Sequence, residues 1–110
     1  MNYNEIIAKF EKEFKLEFGN YISNLIEDVK NEKTTIDYSV YTSKTVDKPS
    51  QITRNFLELR KIKDHSVTNV SNSFSLNLSF YLEMITFNDR QEMEAKLFNT
   101  ITQKNIELNK

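Results

Sequence analysis

The only histidine, His65, stands among Lys63, Asp64 and Ser66, so one short stretch holds an acid, a base and a hydroxyl. Nucleophilic catalysis needs the base within hydrogen-bond reach of the hydroxyl and a third group that orients the base. Such triads are gathered from distant segments. Four neighbours in one turn cannot all converge on a substrate, so this stretch reads as a solvated loop. Carboxylates offer a second chemistry: Glu11, Glu13 and Glu17, then Glu27 and Asp28, then Glu92 and Glu94. Paired carboxylates hold Mg²⁺ or divide acid and base roles. These alternate with lysines, the pattern of a solvated helix face, and no DxD, HExxH or EF-hand spacing occurs. Arg54, Arg60, Lys61 and Lys63 make the densest basic group, near Phe56 and Tyr81. Basic residues beside aromatics on a sheet suit single-stranded nucleic acid, but Glu58, Asp64 and Glu83 dilute this patch.

Composition narrows the chemistry further. The 110 residues carry 15 Lys and Arg against 16 Asp and Glu, a formal net charge of −1. A dedicated nucleic-acid binder or a polybasic membrane protein shows a basic excess instead. Without cysteine there is no disulfide framework, thiolate zinc site or cysteine nucleophile. A single glycine excludes the glycine-rich phosphate loops. No catalytic, cofactor-binding or metal-ligating residue is expected, and the chain reads as no enzyme. It holds 38% hydrophobic and 12% aromatic residues, enough for one folded domain spanning 1–110. No signal peptide and no transmembrane run is visible.

The elements that must position these residues begin with a long helix in residues 1–31. Ile6, Phe10, Phe14, Phe18, Ile22 and Ile26 step by four, flanked by Ile7, Tyr21, Leu25 and Val29. Glu5 with Lys9 and Glu11 with Lys15 are i,i+4 pairs in the favourable order. Gly19 and Asn20 interrupt the stripe, predicting a bend or break. Residues 34–87 read as antiparallel strands. Ile36, Tyr38 and Val40 alternate with polar partners, and Pro49 marks a loop or an unpaired edge. Ile52 to Ile62 is a less regular strand that needs a bulge. Asp64 to Asn72 connects it to the next. Phe74, Leu76, Leu78, Phe80, Leu82 and Met84 alternate without a lapse, predicting a buried face on a strand from Phe74 to Phe87.

Asp89 with Glu92 suggests a capping box for a helix over 89–103, in which Met93, Leu97 and Ile101 step by four. Residues 104–110 form a polar tail. The simplest assembly is an α+β two-layer sandwich: an antiparallel sheet of three to four strands with a long hairpin, and the N-terminal and C-terminal helices packed on one face. The helices cannot also cover the second face of the long strand. Tyr81, Ile85 and Phe87 lie there, with Tyr41 beside them, and are the candidate interface.

The run Val40-Tyr41-Thr42-Ser43-Lys44-Thr45-Val46, then Lys48-Pro49, then Phe56-Leu57-Glu58-Leu59, resembles bacteriophage tail terminator proteins. Phe74-Ser75-Leu76-Asn77-Leu78-Ser79-Phe80-Tyr81 is similar to that family's long hairpin strand. Asn88-Asp89-Arg90-Gln91-Glu92-Met93 stands where the family opens its final helix. The resemblance covers Ile36 to Ile101. It implies a non-enzymatic structural phage or prophage protein that caps the tail tube as a homo-oligomeric ring and joins tail to head. Its partners would be tail-tube and head-connector proteins, with no cofactor, no membrane and no specific nucleic acid, in the virion or host cytoplasm. The alternative is a small cytosolic partner-binding protein such as a toxin immunity protein, its Glu-rich first helix supplying an acidic patch. An enzyme working through His65 or a carboxylate pair is the third reading.

Overall fold

A computed structural model of the chain describes residues 2–69 and 74–110. Its longest element, α1, runs from Tyr3 to Lys30 without a break. Asn2 caps it, accepting a hydrogen bond from the Glu5 backbone N–H at 2.9 Å. Its buried stripe is Ile6, Phe10, Phe14, Phe18, Ile22, Leu25 and Val29. The helix is not broken at Gly19. Its φ is not positive, and a Cβ built there meets nothing within 4 Å, so the helix simply passes through.

The predicted sandwich is not formed. Among the described residues there are five helices and one two-stranded antiparallel sheet, and the expected strands over 34–87 are mostly helical. Where Ile36, Tyr38 and Val40 suggested a strand, helix α2 covers Tyr38–Val46. It buries Tyr41 and Thr45, four apart, and leaves Tyr38 and Val40 exposed. Asp37 caps it: the Ser39 backbone N–H and hydroxyl both donate to its carboxylate, holding that carboxyl below its usual pKa. Ile36 lies outside any helix or strand among the described residues. The Asn105 side chain serves instead, accepting from the Ile36 N–H at 2.7 Å and donating to its carbonyl at 3.0 Å.

The irregular strand at Ile52 to Ile62 is helix α3, Lys48–Leu59. Its buried residues Pro49, Ile52, Thr53, Phe56 and Leu57 follow i, i+3, i+4, i+7, i+8. Pro49 sits in the first turn, where its missing N–H costs nothing. The helix ends in a left-handed residue, Lys61 at φ 54°. Ile62 N–H donates to Leu57 O at 2.9 Å and Lys61 N–H to Glu58 O at 3.1 Å, the paired bonds of a Schellman end.

The chain then pairs β1 (Ser66–Asn69) with β2 (Phe74–Asn77), Val67 opposite Leu76. Strand β1 lies within the stretch expected to be a polar connection, of which 70–72 fall outside the described residues. The long strand expected to reach Phe87 stops at Asn77, and α4 takes over from Leu78 to Ile85. An unbroken alternation also contains positions four apart. Leu78 and Leu82 are fully buried with Thr86 close behind, whereas Phe80 and Met84 are 63% and 51% exposed. Asp64 secures the start of this helix from across the hairpin, accepting from Ser79 N–H and Oγ–H at 2.8 Å each.

Thr86 separates α4 from α5, Phe87–Leu108. Its hydroxyl donates back to Leu82 O at 2.9 Å, a local bond that accompanies helix bending. Helix α5 starts before Asp89, so Asp89 lies in its first turn instead of forming a capping box, and the helix continues through most of the expected tail. Helices α1 and α5 run parallel: Lys15 meets Asp89 at 3.7 Å and Lys104 donates to Lys30 O at 2.9 Å, both 74 residues apart. Helix α3 returns antiparallel to α1: its start, Lys48, lies over the Tyr21 ring at 4.8 Å, and Phe56 near its end is edge-on to Phe10 at 5.2 Å, with Arg60 paired to Glu13. The result is an elongated helical assembly of 54 × 29 × 19 Å in which α1 packs against both α5 and α3, and α4 packs against α3 and α1. Phe10, Phe14, Phe18, Leu78, Leu82, Leu97 and Ile101 form its fully buried centre. No helix among the described residues is long and apolar enough to cross a membrane.

Candidate functional site

The hairpin base does not assemble catalytic machinery around His65. Its Nδ1 lies 2.9 Å from the Lys63 carbonyl and so carries the hydrogen, and its Nε2 accepts from the Tyr3 hydroxyl at 2.7 Å. The two rings stack with centroids 5.5 Å apart. Asp64 turns to α4 instead of to the imidazole, and Ser66 opens β1. The four neighbours thus serve four structural ends.

The acidic clusters are likewise divided. Glu13 pairs with Arg60, Glu94 with Arg90 and Asp89 with Lys15. No group of three or more His, Cys, Asp or Glu side chains gathers among the described residues. The basic group is split by α3. Arg60 packs its guanidinium 4.1 Å from the Phe56 ring centroid, Lys61 forms the turn, and Arg54 lies in a cleft beside Lys44 and Lys48. Phe56 is buried in a helix, so the expected sheet of basic and aromatic residues is absent among the described residues.

The four expected interface residues divide as well. Tyr41 is buried at 3% exposure, and desolvation, then the charges of Glu32 and Asp28, push its phenol pKa up. Tyr81 is half-buried, and Ile85 packs against the core. Only Phe87, 47% exposed, faces solvent freely. On a strand, Tyr81, Ile85 and Phe87 share a face. On a helix, Tyr81 and Ile85 turn inward with Leu78 and Leu82.

The residues that replace them are Phe80 and Met84, which the alternating pattern assigned to the core. Phe80, Met84 and Phe87 fall at i, i+4 and i+7 along the outer edge of the α4–α5 corner. With Glu83 and Arg90 they line a shallow depression of about 290 Å³. Glu83 accepts from Ser50 Oγ at 2.8 Å, and Arg90 donates to Glu94 at 2.9 Å, so both charged heads are held at the rim. Three large apolar side chains are grouped in water, bordered by one anion and one cation, the composition that protein contact surfaces present. The helical spacing of 80, 84 and 87 was the signal in the sequence that could have found it.

No protein-family model, no curated protein and no solved structure matches the chain.

Proposed function

We propose that this is a small non-catalytic binding protein that works by protein–protein contact through the α4–α5 corner, and that its first partner is a second copy of the chain. The observation that supports this is the exposed cluster of Phe80, Met84 and Phe87, each about half or more open to solvent. Its rim favours self-association. Glu83 and Arg90 lie seven positions apart on one stripe. A two-fold axis between them sets each Glu83 against the other copy's Arg90, with Met84 and Phe87 enclosed.

A tail-completion ring is one assembly that self-association would serve. Of the segments that carry that resemblance, residues 40–46, 48–59 and 78–81 are helical instead of stranded, while Phe74–Asn77 is a hairpin strand and Asn88–Met93 lies in helix α5. An immunity protein is another form of the same binding role.

Light scattering over a concentration series tests the reading. The expected result is a mass rising from 13.0 kDa toward one closed oligomer. Phe87→Asp and Met84→Asp hold the protein at the monomer mass. Glu83→Arg and Arg90→Glu each weaken association, and the double reversal restores it. A 13.0 kDa monomer at every concentration overturns self-association.

A further inference from the structure

Helices α1, α2 and α3 line an open cleft of about 310 Å³ whose walls include Tyr21, Lys44, Asp47, Lys48, Gln51 and Arg54. Three cations face it against one carboxylate, on a chain with a formal net charge of −1. Lys15, Arg60 and Arg90 each have a carboxylate partner; among the described residues Lys44, Lys48 and Arg54 have none within ion-pairing distance. Aromatic rings position the lysines instead. The Lys44 ammonium lies 4.9 Å from the Tyr41 ring centroid and the Lys48 ammonium 4.8 Å from that of Tyr21. A ring face attracts a cation without cancelling its charge. Tyr21 also donates to the Lys44 carbonyl at 2.6 Å, tying α1 to α2 beside the cleft, and Lys48 donates to Gln51 Oε1 at 3.4 Å.

Like charges held around one hollow repel, and a bound anion relieves that repulsion. Phosphate suits the set better than a single carboxylate does. Arg54 offers a planar fork for two phosphoryl oxygens, and the lysines act as point charges for a neighbouring group. The volume stands near the lower end for small-molecule pockets, about 300 Å³. We infer that this cleft binds a small anion carrying two adjacent phosphoryl groups, with Lys44, Lys48 and Arg54 as its ligands and Asp47 opposing it. The site is separate from the α4–α5 corner and does not depend on self-association.

Titration of inorganic pyrophosphate into ¹⁵N-labelled full-length protein at constant ionic strength tests this. Saturable amide shifts at Lys44, Lys48, Gln51 and Arg54 are expected. Lys44→Ala, Lys48→Ala and Arg54→Ala should each weaken binding by about fivefold or more, because each removes a charge-assisted contact. Asp47→Asn should tighten it by about twofold, since it removes the opposing charge. Lys44 and Arg54 are exposed, and unchanged circular dichroism of the variants confirms that the fold is kept. Three outcomes would overturn the inference. One is a shift that stays linear with added salt or appears equally with chloride. Another is binding that survives the Lys44→Ala/Lys48→Ala double variant. The third is a single-stranded oligonucleotide that binds here more tightly than pyrophosphate, which would assign the cleft to nucleic acid.

Discussion

Tyr41 shows how one residue's setting turns into a pH dependence. Its phenol pKa is raised above the ordinary value of 10.0, by burial first and then by Glu32 and Asp28. The folded protein therefore holds this proton where the unfolded chain has released it. The stability is fully present below about pH 10 and falls as pH rises through the folded pKa. Urea unfolding at pH 8 and at pH 11 should show the wild type losing more stability across that interval than Tyr41→Phe. Equal losses would show that the phenol contributes nothing. Lys61 is a second local case. It occupies the left-handed position that ends α3, at φ 54°, where a Cβ is unfavourable and glycine is not. Lys61→Gly should raise unfolding free energy by about 1 kcal/mol in urea titrations; a loss would mean that the Lys61 side chain has a contact worth more than the backbone strain.

Among the elements, α1 and α4 show when periodicity is decisive. Helix α1 repeats its apolar residues over seven turns, and no other structure buries that stripe. Its glycine adds only a local propensity cost, so Gly19→Ala should stabilise by about 0.8–1 kcal/mol, since a Cβ there meets no atom within 4 Å. Thermal and urea unfolding measure it. No gain would mean that the site is not regular helix. In α4 the alternation of Phe74 to Met84 fits a strand, yet Leu78 and Leu82 equally fit one helix face. What separates the two lies outside the segment: Asp64 caps α4 through Ser79 from 15 positions away. The pattern of α3 was legible, because 49, 52, 53, 56 and 57 follow helical spacing with proline in the first turn. Reading Pro49 as a strand edge hid it.

The whole molecule is held by contacts between distant residues. Asn105 is the clearest: its amide satisfies both backbone groups of Ile36, 69 positions away, and so fixes the passage from α1 to α2 against α5. Asn105→Ala strands those two partly buried groups and should cost about 1–3 kcal/mol in urea unfolding, although alanine is the better helix former. An unchanged midpoint would show that water replaces the amide there. The candidate contact surface follows from residues 78–85 being helical, which places Leu78 and Leu82 in the core and Phe80 and Met84 in solvent. Phe80 and Met84, whose alternation predicts core, face solvent on α4, whereas Tyr41 and Ile85, expected at an interface, turn inward on helices.

By itself the sequence determined α1, the amphipathic face of α5 around Leu97 and Ile101, and the absence of thiol chemistry and glycine-rich phosphate loops. These rest on residue type or on a repeat long enough to have one solution. Tertiary structure alone decided the state of residues 36–46 and 78–85. Short apolar runs there are compatible with periods of 2 and of 3.6, and free energy is gained only when a particular face meets the core. It also decided which carboxylates and cations are paired. Glu13 finds Arg60 and Asp89 finds Lys15 across the bundle, while Lys44, Lys48 and Arg54 are left around one cleft. The reason is physical: local periodicity selects a face, and only packing against distant segments determines what that face meets.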